Sequence, residues 1–239
     1  VGEPRTTLVT GASRGIGAGI ARLLLDRGGR VACTSRSGHS AVSEQAGGRT
    51  LPIALDLTDP AGPEHAVERV REHWGRLDSL VLNAGVWHGG RLSTMDPDLW
   101  WEVVRTNLGG TAALVRAATG LLTRGTEPSI VLVGSVVGEV GFAGDTAYAA
   151  GKAALVGFAR SLAKELAPDG VRVNVLAPGF VETDMTSAVP DRSRQRIASA
   201  TLLGRFGTVD EIARAAVFLA DDATFCTGSV LTADGGWSL

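Results

Sequence analysis

The chain has 239 residues, 44% of them hydrophobic and 20% charged, with a formal net charge of −2. A chain of this size buries roughly 70–75% of the surface it exposes when unfolded, enough for one substantial core, and so apolar and weakly charged a composition excludes intrinsic disorder. Lys and Arg number 23 against 25 Asp and Glu, which excludes nucleic-acid binding through overall positive charge, and no run approaches the roughly 18 uninterrupted apolar residues of a membrane span.

The first strand is expected at Thr7–Thr10. A glycine-rich turn follows, then a helix whose Ile16, Ile20, Leu23 and Leu24 share one face at i, i+4, i+7 and i+8. Val31–Thr34 and Leu51–Leu55 read as the second and third strands. The polar stretch between them, Ser37–Arg49, reads as a stunted helix or a loop. Val67, Val70 and Trp74 mark the next helix, and Ser79–Leu82 the fourth strand. The fifth and sixth strands are expected at Ile130–Val133 and Val171–Leu176, with a long helix between them through Leu155, Phe158, Leu162 and Leu166. Ile212, Ala215, Ala216 and Leu219 give a last helical face before a seventh strand at Val230–Thr232.

Strand and helix in alternation imply crossover connections and a parallel sheet. The strands are almost continuously apolar, as strands buried on both faces are. The expected fold is therefore α/β: one Rossmann-like doubly wound parallel sheet of about seven strands with helices on both faces, a single domain over residues 1–239. The first residues lack the charged-then-apolar pattern of a secretory leader. Cys33 and Cys226 have no CxxC partner and read as reduced thiols of a cytoplasmic protein. His39, His65, His73 and His88 show no metal-ligand spacing, so no metal is expected.

The first strand runs into Thr10-Gly11-Ala12-Ser13-Arg14-Gly15-Ile16-Gly17. Glycines 11, 15 and 17 permit a tight turn and a close backbone approach to a pyrophosphate, and the helix that follows supplies free amide donors at its N-terminus. The second strand ends at Thr34-Ser35-Arg36, where an NAD-binding protein would place a carboxylate for the ribose 2′-hydroxyl. Arg36 and Arg14 instead suit a 2′-phosphate, so the expected cofactor is NADP(H). Asp56-Leu57, after the third strand, is a candidate adenine contact, although Asp56 and Asp59 are equally good turn or cap residues. Asn83-Ala84-Gly85 ends the fourth strand with residues small enough for a cofactor to lie against.

Ser135 ends the fifth strand, and Tyr148 and Lys152 follow at i, i+4 on one helix face. Tyr148 is the only tyrosine in the chain. A neighbouring cation is expected to lower its pKa toward a range useful for acid–base catalysis, and Ser135 can donate to a carbonyl oxygen.

At these residues the chain resembles the short-chain dehydrogenase/reductase family, most of all the bacterial 3-oxoacyl-[acyl-carrier-protein] reductases. The resemblance runs nearly end to end and includes Asn107, Asn174-Val175-Leu176-Ala177-Pro178-Gly179, Phe180 to Thr186 and the tail Thr227-Gly228…Asp234-Gly235-Gly236. It implies that Tyr148 protonates a ketone oxygen, Lys152 holds the nicotinamide ribose, Ser135 orients the carbonyl and Asn107 supports a proton-relaying water chain. It also implies cofactor contacts from Pro178, Gly179, Val181 and Thr183, and a homotetramer, which the apolar residues on several faces of the Tyr148 helix make plausible.

The implied substrate is a 3-oxoacyl thioester or related β-keto compound, free or carrier-bound. Three departures stand out. Ser37–Arg49 is short, Ala147 precedes Tyr148, and Thr126-Glu127-Pro128 and Pro168-Asp169-Gly170 replace the basic residues that dock an acidic carrier, with Arg124 the nearest substitute. Trp87, Phe142, Phe180 and Met185 are expected near the carbonyl. Of Trp100 and Trp101 at most one should face the core, and residues 186–204, with few apolar anchors, are expected to form a lid. Two rival readings are a tailoring reductase of free small ketones and an NADPH-sensing regulator without turnover.

Overall fold

The computed structural model describes residues 3–40, 42, 48–187 and 189–239. Seven strands form one parallel sheet: β1 (Thr6–Thr10), β2 (Arg30–Ser35), β3 (Thr50–Ala54), β4 (Ser79–Leu82), β5 (Ser129–Val133), β6 (Arg172–Pro178) and β7 (Val230–Ala233). Their order is β3-β2-β1-β4-β5-β6-β7. The helices are α1 (Gly15–Asp26), α2 (Gly62–Trp74), α3 (Pro97–Val104), α4 (Thr111–Leu122), α5 (Val137–Val140), α6 (Thr146–Leu166), α7 (Asp184–Ser187), α8 (Asp191–Ala200) and α9 (Val209–Val217). All seven expected strands are present, each within a residue or two of the expected ends. Part of Ser37–Arg49 lies outside the described residues.

The period-2 alternation of the strands divides the core into two layers. Leu8, Leu80 and Ile130 face one side, packed with Val70, Leu114, Leu122 and Leu162 of α2, α4 and α6. Val9, Val81 and Val131, their immediate neighbours, face the other side against Ile20, Leu24, Ile212 and Ala216 of α1 and α9. Both faces being covered explains why these strands carry no polar stripe. Pro52 lies in β3, at the sheet edge, where a missing backbone donor is tolerated. Helix α9 starts with a reciprocal cap: Glu211 N donates to Thr208 Oγ1 and Thr208 N to the Glu211 carboxylate.

The chain adds strands on one side of β1 as far as β3, then returns to add β4 on the other side. This reversal opens a crevice at the carboxyl ends of β1 and β4, the place where open parallel sheets bind ligands. Among the described residues, no helix is long and apolar enough to cross a membrane. Cys33 is buried and Cys226 half-buried, both as free thiols.

Candidate active site

The glycine turn between β1 and α1 is held from below. Asn83 N and Ala84 N both donate to Thr10 Oγ1 at 2.9 Å, and Asn83 Nδ2 donates to the carbonyls of Thr10 and Gly11 at 3.0 and 3.3 Å. Asn83 thus clamps the turn to the end of β4. Gly11 and Gly15 take φ of +67° and +56°, a region open to glycine at little cost. A Cβ at Gly17 would lie 2.3 Å from Gly11 O and 2.6 Å from Asn83 Nδ2, so only glycine lets the turn fold so tightly onto α1.

Two adjoining pockets occupy the crevice. One is lined by Gly11, Ser13, Arg14, Ser35, Arg36, Asp56, Leu57, Ala84 and Gly85. The other shares Gly11, Arg14, Ala84 and Gly85, and continues past Gly15, Ile16 and Asn83 to Ser135, Tyr148, Lys152, Pro178, Gly179, Val181 and Thr183. Of the residues expected to hold a dinucleotide, Gly17 alone lies outside both linings, packed beneath the turn. A glycine cradle at a helix N-terminus, arginines beside it and a hydroxyl–ammonium pair farther along the crevice fit a nicotinamide dinucleotide in their chemistry.

Several of these groups already have partners. Ser35 Oγ donates to His39 O at 2.7 Å and braces its own loop. Asp56 Oδ1 accepts from Thr58 N and Thr58 Oγ1 at 2.8 and 2.7 Å. These bonds, outweighing burial and helped by Arg36, hold its pKa below the usual carboxylate range. Arg14 reaches across the crevice to Asp184 of α7 at 3.3 Å, between two exposed side chains.

Ser135, Tyr148 and Lys152 converge as their spacing requires. Lys152 is buried, its Nζ donates to Val133 O at 2.7 Å, and it lies 5.6 Å from the centre of the Tyr148 ring. Burial lowers its pKa to about 8. Tyr148 departs from expectation: burial raises its pKa to about 12, opposed by the Ser135 hydroxyl and reinforced by Asp145. The expected lowering by a neighbouring cation is outweighed by burial, which disfavours the phenolate of Tyr148 and the ammonium of Lys152 alike.

Asn107 does not line the crevice. It is buried in a six-residue π-helical turn, Arg105–Gly110, joining α3 to α4. Val86 N donates to its Oδ1 at 2.8 Å and its Nδ2 donates to Val86 O at 2.9 Å. The side chain therefore fixes the loop after β4, and the wider turn is a local irregularity of a kind common at functional sites.

The substrate side is walled by Trp87, Phe180, Met185 and Val189. Phe142, expected there, is outside the lining and packs its ring at 5.9 Å from Phe180 and 6.3 Å from Trp237, an aromatic contact that holds it against the wall residue Phe180. Trp87 Nε1 donates to Asp145 Oδ1 at 2.9 Å. Asp145 escapes sequence reasoning. An aspartate at a helix start reads as a cap worth about 0.5–2 kcal/mol, yet here the N-cap makes no side-chain cap bond and the carboxylate lines the pocket.

Neither Trp100 nor Trp101 enters the core. Trp100 is half-buried and donates to Thr146 Oγ1 at 3.1 Å, while Trp101 is exposed. His88 is exposed as well. The 186–204 segment is better anchored than its composition suggests: Ile197 of α8 is buried, and Arg194 stacks over Phe206 at 4.5 Å and donates to Thr186 O at 3.2 Å.

Known proteins extend this geometry along the whole chain. Residues 11–238 match a family profile described as enoyl-(acyl carrier protein) reductase. The chain is 43% identical over 237 residues to the 3-oxoacyl-[acyl-carrier-protein] reductase FabG of Escherichia coli (strain K12), covering 98% of this chain and 97% of that one. The protein of the same name from Vibrio harveyi is also 43% identical over 237 residues, with the same coverage. That from Thermotoga maritima is 38% identical over 240 residues, covering 98% of both. Kinship of this depth over nearly the full length goes beyond a shared fold: the chain belongs to the short-chain dehydrogenase/reductase family of oxidoreductases.

Proposed function

We propose that the protein is an NADPH-dependent ketoreductase, one unit over residues 1–239, that reduces a 3-oxoacyl thioester or related β-keto compound to the 3-hydroxy product. The observation that carries this reading is the convergence of Ser135, Tyr148 and Lys152 in one crevice with the glycine turn. NADPH, when bound, supplies the hydride. The protein's own residues manage the oxygen. Ser135 donates to the carbonyl and fixes its direction. Tyr148 delivers its phenolic proton to the same oxygen as negative charge develops there, and a pKa of about 12 keeps that proton in place at neutral pH. Lys152 holds the ribose and offers a cation beside the developing phenolate. A hydroxyl pair aimed at one oxygen favours reduction of a polar C=O over a C=C bond, in agreement with the names of the relatives.

The 2′-phosphate falls to Arg14 and Arg36, with no carboxylate at the end of β2 to oppose it. Carrier docking has weaker support. Arg124 is exposed, but its Nε is turned back to Gly120 O at 2.9 Å, and Glu127 and Asp169, before β5 and β6, stand exposed with the wrong sign for an acidic partner. We place the enzyme in the cytoplasm as a homotetramer, and light scattering at micromolar concentration would show a mass four times that of the chain.

The test of function is NADPH oxidation followed by absorbance over three substrates: a carrier-bound 3-oxoacyl group, its N-acetylcysteamine thioester and a simple free ketone. Turnover of the N-acetylcysteamine thioester is expected to exceed that of the free ketone. Turnover of the simple ketone alone would favour a tailoring reductase, and NADPH binding without turnover of any would mark a regulator.

A further inference from the structure

The substrate side of the crevice is mostly apolar. Trp87, Phe180, Met185 and Val189 form its wall, and Asp145 sets a carboxylate among them, three residues before the catalytic tyrosine. Asp184, the other acid in this lining, is exposed and already paired with Arg14 on the cofactor side. Asp145 has no cationic partner among the ion pairs of the described residues. Burial pushes the Asp145 pKa above the usual carboxylate value, and the bond its Oδ1 accepts from Trp87 Nε1 at 2.9 Å opposes that shift and fixes the carboxylate in place. Helix α6 gains no cap from it, since the N-cap bond is not made, so the side chain serves the pocket and not the helix. Asp145 and Tyr148 line the same pocket, so a substrate that presents its ketone to Tyr148 shares that pocket with the carboxylate.

We infer that Asp145, braced by Trp87, is a charge-specificity residue: it biases the site against 3-oxo substrates carrying an anion beside the ketone and toward neutral or cationic esters and thioesters. This rests on the ketoreductase reading above. A fixed, half-buried carboxylate on a mostly apolar wall repels a second carboxylate held in the same pocket. The indole face beside it is a suitable neighbour for a quaternary ammonium. The selection thus operates between an esterified 3-oxo acid and the same acid set free, so a free 3-oxo acid is a poor substrate even where its chain length fits.

The experiment uses three substrates with one ketone: a free 3-oxo acid, its methyl ester and its choline ester, each with NADPH. For the wild type, kcat/KM for the methyl ester should exceed that for the free acid at least about tenfold, with the choline ester at or above the methyl ester. Asp145→Asn keeps an acceptor for Trp87 and removes the charge. It should narrow the ester-to-acid ratio at least about fivefold and lower the choline-to-methyl ratio. Asp145→Glu, with the charge retained, should keep the wild-type order, and NADPH binding followed by fluorescence confirms that each variant is folded. Ratios unchanged in Asp145→Asn would overturn the inference while leaving the ketoreductase standing. No turnover of any ester by the wild type would overturn the ketoreductase reading itself, and the inference with it.

Discussion

Lys152 donates its ammonium to the carbonyl of Val133 at 2.7 Å and lies 5.6 Å from the centre of the Tyr148 ring. A buried cation is thus tied to the end of β5, two strands from β1 and its glycine turn, and it has a measurable thermodynamic consequence. Burial lowers its pKa from 10.5 to about 8, so between those values the unfolded chain binds this proton more than the folded one. Stability from this group therefore rises with pH across that window, by on the order of 3 kcal/mol in full. Tyr148, raised from 10 to about 12, acts in the opposite sense only above pH 10. Lys152→Met removes the first effect, so between pH 8 and pH 10 wild type should gain stability relative to the variant. A difference in unfolding free energy that stays flat over this range would contradict the assignment.

The single tyrosine makes a second prediction direct. With one Tyr in the chain, tyrosinate absorbance near the red edge of the ultraviolet band reports Tyr148 alone. Burial places its midpoint at about 12, so the folded protein without added cofactor should show almost no tyrosinate at pH 10. A midpoint below 10 in the folded protein would mean that Lys152 governs the phenol after all.

Arg36 is the cleaner of the two arginine probes, because Arg14 already spends one nitrogen on Asp184. Arg36→Ala removes a charged contact to the 2′-phosphate worth about 1.5–3 kcal/mol. The NADPH dissociation constant should rise about tenfold or more while that of NADH changes little. Equal losses for both cofactors in a fluorescence titration would locate the 2′-phosphate elsewhere.

Gly17→Ala tests the turn. The added Cβ would sit 2.3 Å from Gly11 O and 2.6 Å from Asn83 Nδ2, both parts of the clamp. Relief requires the turn to move, at a cost of about 1–3 kcal/mol, and the phosphate cradle should move with it. Both Tm and NADPH affinity should fall, and a drop in Tm with unaltered affinity would separate the turn from the binding site.

Much of this was legible before any fold was seen, and the exceptions share a cause. Leu8, Leu80 and Ile130 against Val9, Val81 and Val131 gave strands apolar on both faces, which only a covered parallel sheet tolerates. Tyr148 and Lys152 had to share a helix face because i and i+4 always do. What escaped depends on which of several partners a side chain takes in three dimensions. Asp145 carries no motif of its own and takes an indole from a loop 58 residues away. Asn107 had no local signal and forms both of its side-chain bonds with Val86, 21 residues away. The Tyr148 pKa goes the other way because spacing fixes that a cation is near but not how deeply the phenol and the ammonium are buried. The 186–204 segment looked unanchored because its anchors, Ile197 in the core and Arg194 over Phe206, are single contacts rather than a periodic stripe.

The central claim is that Tyr148 gives its proton to the ketone oxygen, and Tyr148→Phe tests it most directly. The ring and its packing stay, and only the donor is lost. The measurement is single-turnover reduction of the N-acetylcysteamine 3-oxoacyl thioester by saturating NADPH, beside the NADPH dissociation constant of the same variant. General acid catalysis is typically worth about 10²–10⁴-fold, so the rate should fall by at least about a hundredfold while the dissociation constant stays within about threefold, Lys152 and the glycine turn being intact. Near-normal reduction by Tyr148→Phe would contradict the account.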